Sequence, residues 1–137
     1  MNIYLDSSAL IKRYIHETGS EKVLNLCAQA DQLFLSVLCV PEAVSTFCRL
    51  KRERRMTEEI YQLLKIDLQE DLQQTHLVEM TEEILETSVL CLEKSPMGTL
   101  DAIHLATALK AGCDLYLSSD IQQQKAARVM GLKVEAV

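Results

Sequence analysis

The feature that most constrains this chain is an alternation. Short apolar runs, each of strand length, are separated by stretches with the length and spacing of helices. Residues 3–5, 33–36, 77–80 and 115–118 have the character of short buried strands, and residues 133–136 form a weaker fifth. Between them, Met56, Ile60, Leu63, Leu64, Leu68 and Leu72 mark out one face of a helix. Helix starts are signalled by Thr18, with Glu21 completing a capping box, and by Thr57, Thr81 and Thr99, each followed by acids within a turn. Gly112 and Gly131 each end a helical stretch ahead of a strand, where the backbone must enter the left-handed region. Short strands joined by helical crossovers imply an α/β fold whose mainly parallel sheet is covered on both faces.

Composition narrows the function classes. The chain has 137 residues, 48% of them apolar, with only 4 Gly and 2 Pro, which fits one compact core and excludes disorder. Its N-terminus has no basic region followed by an apolar stretch, and no apolar run approaches membrane-spanning length, so a cytoplasmic protein without a membrane partner is expected. Cys27, Cys39, Cys48, Cys91 and Cys113 are odd in number and never form a CxxC pair. Reduced, mostly buried thiols are expected, not a disulfide framework or a zinc site. The net charge of −6 is unfavourable for phosphate binding unless some of the acids are neutralised by a bound cation.

Four acids invite that explanation. In a parallel sheet, ligands bind beyond the carboxyl ends of the strands. Asp6 directly follows the first run, and Asp120 lies just past the fourth and opens the last helix. Glu42 falls in the first two turns of the helix after the second run, and Asp101 in the first turn of the helix before the fourth. Converging carboxylates repel one another unless a cation lies between them, and an oxygen-only set favours magnesium or manganese. Such an ion can activate water for attack on phosphorus. Each Asp alone is more readily explained as a helix cap; Glu42 has no such capping role. Without these four, 16 acids face 14 bases.

The run Tyr-Leu-Asp-Ser-Ser-Ala-Leu at residues 4–10 resembles the opening of PIN-domain proteins, particularly the VapC-type toxins of toxin–antitoxin pairs. Thr-Leu-Asp-Ala-Ile-His-Leu-Ala at 99–106 resembles the family's third acidic motif, Leu-Ser-Ser-Asp at 117–120 its fourth, and Glu42 occupies the second position. The resemblance spans essentially the whole chain and implies a single PIN domain over residues 1–137. It implies a three-layer α/β/α fold with a central parallel sheet of four to five strands in the order 3-2-1-4-5. Also implied are Mg2+- or Mn2+-dependent cleavage of RNA, homodimers, and inhibition by a VapB-like antitoxin. Asp6, Glu42, Asp101 and Asp120 become the catalytic and metal-binding set. Ser7 and Ser118 stand where the family usually has Thr; both keep a hydroxyl that can orient a ligand carboxylate or a bound water. Pro41 beside Glu42 removes a backbone donor if the helix has already begun, with a kink as the consequence.

Arg49, Lys51, Arg52, Arg54 and Arg55 form the one concentrated basic patch. Arg52, Arg54 and Arg55 are candidate RNA-backbone contacts, although favourable charge at a helix C-terminus explains the patch as well. Lys12 and Arg13, two turns beyond Asp6, are open to the same two readings. His104, three residues after Asp101, could act as a general base, but a hydrogen-bonded packing histidine is the simpler reading. The six aromatic rings are scattered and form no base-stacking platform. The competing functions are a non-catalytic PIN-like binding module, an RNA-processing nuclease that is not a toxin, and a receiver-type phosphoacceptor domain. The last lacks the paired acid and the late lysine it would need.

Overall fold

The computed structural model describes residues 1–137. Five strands form one sheet in the order β3-β2-β1-β4-β5, and every pairing is parallel. The strands are β1 (Asn2–Leu5), β2 (Gln32–Ser36), β3 (His76–Val78), β4 (Leu115–Ser118) and β5 (Lys133–Ala136). The helices are α1 (Ser7–Ile11), α2 (Ser20–Gln29), α3 (Cys39–Arg52), α4 (Glu58–Gln73), α5 (Glu82–Lys94), α6 (Thr99–Ala111) and α7 (Ile121–Val129). No helix is long and apolar enough to cross a membrane.

The strand period of two separates the core into two layers. Ile3, Leu5, Leu35, Leu115 and Leu117 face α1 to α4, packing on Leu10, Val23, Phe47 and Leu68. Tyr4 and Tyr116 face α5 to α7, packing on Cys91, Leu105, Ala108 and Ala126. Those two tyrosines stack with centroids 5.3 Å apart, a pair contributing roughly 0.5–1.5 kcal/mol beyond its burial. Helix α6 is buried continuously from Ala102 to Ala108. It therefore has no solvent face along that stretch and holds its polar members within the core.

Thr57 and Thr81 cap α4 and α5 by accepting the N–H of Ile60 and Ile84, as expected. Thr18 does not cap α2, so the expected capping box is absent. Gly19, at φ 94°, takes the cap position, and Thr18 instead offers its carbonyl to Lys12 Nζ at 2.6 Å. Thr99 is the first residue inside α6, whose cap is Gly98. Pro41 lies in the first turn of α3, where no intrahelical bond is lost, and the Glu42 N–H bonds Leu38 O at 3.1 Å. The expected kink has no cause there. On α4 the buried face is Tyr61, Leu64, Leu68 and Leu72, whereas Ile60 and Leu63 point outward. All five cysteines are free, and burial pushes the Cys39 and Cys113 thiols up to about 12.

Helix α3 closes with the Arg55 N–H on Leu50 O at 2.9 Å and the Arg54 N–H on Lys51 O at 3.0 Å. This is the paired C-terminal arrangement in which glycine usually holds the left-handed position. Here that position is Arg54, at φ 58°, and its Cβ costs roughly 1 kcal/mol.

Gly112 closes α6 at φ 68° with open space around it. Gly112→Ala should therefore cost only the backbone penalty, about 1 kcal/mol. Gly19→Ala should cost more, because its Cβ would meet the Val137 backbone carbon at 2.7 Å. Urea denaturation of the two variants checks both the size and the order.

Candidate functional site

Strand β1 delivers Asp6 to the carboxyl edge of the sheet, where its N–H continues the ladder onto Leu117 O at 3.1 Å. The side chain caps α1: Oδ1 accepts the Ala9 N–H at 2.8 Å and the Ser8 hydroxyl at 2.6 Å. Asp6 is only 2% exposed, and burial raises its pKa against the pull of hydrogen bonds from Ser118, Ser8 and Ala9. The Ser8 hydroxyl also accepts the Ser119 N–H at 3.0 Å, tying the exits of β1 and β4 together. Asp120 caps α7, its Oδ1 accepting the Gln123 N–H at 2.8 Å, while its own N–H bonds the Ser118 hydroxyl at 3.1 Å. Both aspartates thus cap helices through Oδ1.

Glu42 is held by a different network. His104, buried within α6, places Nε2 2.6 Å from Glu42 Oε1 and 3.1 Å from the Ser7 hydroxyl, and Nδ1 2.7 Å from the Tyr4 hydroxyl. Burial raises the Tyr4 pKa well above its ordinary value, so the phenol keeps its proton and donates to Nδ1. That leaves the ring proton on Nε2, facing the carboxylate. The Glu42 pKa is opposed by burial but ends below its ordinary value, because His104 and Ser7 hydrogen-bond the charged form. His104 is therefore the hydrogen-bonded packing histidine, and also the residue that fixes where Glu42 points.

Asp101 differs from the other three. On the first turn of α6, its carboxylate has neither a hydrogen bond nor an ion pair within the chain, although the residue is half-buried. Burial raises its pKa most, followed by the negative charges of Asp120 and Asp6; His104 lowers it and Glu42 adds a further rise. The four predicted acids therefore share one electrostatic neighbourhood, drawn from β1, α3, α6 and the β4–α7 junction. As the side chains lie, no three Asp, Glu, His or Cys stand close enough to hold an ion together. The set is assembled but not closed.

A groove of about 700 Å³ opens beside it, lined by Ser7, Ser8, Glu42, Ser45, Thr46, Arg49 and Arg55 among others. Of the basic patch, Arg49 and Arg55 reach this groove, whereas Arg52 and Arg54 do not. Lys12 is buried and engaged by Glu17 and Thr18, and Arg13 pairs with Asp71, so neither faces the site. Sequence reasoning passed over Tyr4, Ser8 and Arg49 as site residues. Ser8 was open to notice, since a hydroxyl two residues after a candidate ligand is a common partner for it. Tyr4 carried no local signal, because its role depends on a histidine one hundred residues away.

Residues 3–129 match the sequence model of the PIN domain. Ribonuclease VapC45 of Mycobacterium tuberculosis is 28% identical over 110 residues, covering 80% of this chain and 76% of that protein. Among solved structures, FitAcB from Neisseria gonorrhoeae superposes with a TM-score of 0.76 at 15% identity, over 96% of this chain and 95% of that one. A toxin–antitoxin complex from Klebsiella pneumoniae gives 0.70 at 16%, over 98% and 96%. At such identities the structural likeness speaks for the fold, and it agrees with the three-layer parallel architecture described above.

The shifted acids set a pH dependence for the metal-free chain. A carboxyl whose pKa is raised on folding supports the fold below its ordinary value, 3.8 for Asp, and loses that support as pH climbs through the raised value. Asp6 and Asp101 follow this course; Glu42, lowered, supports the fold at higher pH and loses it on acidification. Metal-free Asp101→Asn should thus melt above wild type at pH 7, with the gap narrowing toward pH 4. A scan of melting temperature against pH reads this directly. Tyr4→Phe should cost about 1–2 kcal/mol in chemical denaturation by leaving buried Nδ1 unpaired.

Proposed function

This chain belongs to the PIN-domain family, and from that premise we propose that it is an endoribonuclease of the VapC-toxin kind, hydrolysing RNA phosphodiester bonds with a divalent cation. Asp6, Glu42, Asp101 and Asp120 are the residues proposed to hold that ion. The observation that carries the reading is the unpartnered Asp101 carboxylate, whose pKa is raised by burial and by three neighbouring acids. Such repulsion destabilises a fold and is explained when a cation relieves it. A non-catalytic module gains nothing from it.

The donors fit a hard ion: they are all oxygen, and Asp6 and Asp120 each cap their helix through Oδ1 alone. Magnesium, or manganese in its place, is the proposed occupant. When bound, it would lower the pKa of a coordinated water and place positive charge opposite the phosphoryl oxygens. Because the carboxylates do not stand within shared reach, they would have to draw together to hold the ion. Glu42, kept ionised and fixed by His104, orients the attacking water by accepting its hydrogen bond. Ser7 and Ser118 brace Glu42 and Asp6 through their hydroxyls. Arg49 and Arg55 hold the RNA backbone along the groove.

The toxin reading brings with it a VapB-like antitoxin, a partner class supported by the Klebsiella toxin–antitoxin complex of the same fold. A homodimer, a cytoplasmic setting and action as one PIN domain over residues 1–137 complete the proposal. The three buried clusters all share the single sheet, which supports one domain.

Purified protein incubated with total RNA should cleave it with magnesium present and stop on chelation. Asp6→Asn should lower the rate at least ~100-fold, a loss typical of removing a group that stabilises the transition state, with the far-ultraviolet dichroism unchanged because Asn also caps helices. Cleavage that survives in Asp6→Asn, or that ignores chelator, contradicts the assignment.

A further inference from the structure

A second depression of about 600 Å³ adjoins the carboxylate groove, and Ile15 and Arg55 stand in the walls of both. Lys51, Arg54, Arg55 and His16 line it, over an apolar floor, and none of its lining residues is acidic. Its cations are unequally engaged. Lys51 Nζ is taken up by Glu58 at 2.5 Å and lies over the Tyr61 ring. Arg55 touches Glu53 only at 3.4 Å, and Arg54 makes no ion pair at all. In an acidic chain, this is a surface where positive charge is left unspent.

The backbone adds a second, independent observation. Arg54 occupies the left-handed position that ends α3, where glycine would sit without strain. A strained position of this kind is a pointer to function when the residue placed there contributes what glycine cannot. Arg54 contributes an unpaired guanidinium to the wall of the second groove. The groove's one tyrosine, Tyr14, bonds Asp71 through its hydroxyl and meets Phe47 edge-on, so no pair of stacked rings forms a base platform there.

We propose that this second groove is a binding track for the RNA backbone beyond the scissile phosphate, in which Arg54 and Arg55 engage successive phosphates without reading base identity. The track continues the proposed active site and rests on the nuclease reading. RNA is favoured over an acidic protein segment by continuity with the carboxylate groove through Arg55, since a chain threading the first groove is led into the second. Unspent positive charge suits phosphate contact, and the site's indifference to base follows from the absence of a stacking platform.

The test uses the full chain carrying Asp6→Asn, with labelled oligouridines of about 4 and about 12 nucleotides, read by fluorescence anisotropy across salt concentrations. Adding Arg54→Gly should weaken the longer RNA roughly 3- to 10-fold, and the shorter one less, and should flatten the slope of log affinity against log salt by about 0.7. Its melting temperature should not fall, because glycine releases the strained backbone. Arg54→Lys should stay within about twofold of the parent, as a phosphate contact by charge predicts. Lys133→Ala, removing one charge at the start of β5, should change neither RNA. Unaltered affinity of Arg54→Gly for the longer RNA overturns the track, as does an equal loss in Lys133→Ala. Weakened binding of a polyglutamate peptide with RNA binding intact also overturns it, by assigning the groove to an acidic protein segment. Failure of the nuclease reading shows separately, as absence of magnesium-dependent cleavage by the wild-type chain.

Discussion

Parallel pairing of β1 on both flanks, with packing on both faces, is the constraint from which the remaining structure follows. A strand enclosed in this way has only its ends for chemistry, and the carboxyl end of β1 releases Asp6 at the crevice where the chain direction diverges toward β2 and β4. Side-chain alternation then makes Ile3 and Leu5 part of one layer and Tyr4 part of the other. Tyr4 reaches His104, and His104 reaches Glu42, so a core strand residue governs the direction of a groove carboxylate. Architecture and site are joined through that relay.

The acids serve two purposes that draw on the same oxygens. Asp6 and Asp120 stabilise the first turns of α1 and α7, each using Oδ1 for the purpose. Had they used both oxygens, the cluster would be a set of well-satisfied caps with nothing left for a cation. Asp101 takes no part in this sharing, and its lack of a partner is a stability deficit in the metal-free chain. Glu42 balances the set: the imidazole that restrains it also keeps it charged. Stability and the proposed chemistry are thus in tension at Asp101 and Asp6, where burial opposes the charge, and in accord at Glu42 and Asp120.

Much of this was legible in the residues. The apolar runs marked β1, β2 and β3 to within two residues and β4 and β5 fully, and for β1 and β4 this is because a strand buried on two faces leaves an unbroken apolar signature. Positions just beyond those runs brought out Asp6 and Asp120, and a place in the first turn of a helix brought out Asp101. Less legible were features set by distant contacts. The Thr18 capping box obeyed the local pattern but lost to Gly19, whose left-handed backbone packs against Val137. On α4, apolar spacing included Ile60 and Leu63, although the helix turns a different arc toward the sheet. The basic patch was visible as charge. Which arginines meet which groove depends on how α3 ends, and Arg54 in a glycine position was not foreseeable from composition.

A divalent-cation site built from the four carboxylates would show itself in ligand-linked stability. Melting temperature should be followed while magnesium or manganese is titrated into wild type and into Asp101→Asn. A rise with metal concentration is expected in wild type, growing logarithmically once the site is filled, and little or none in the variant. Identical melting with and without metal in the wild-type chain would contradict such a site.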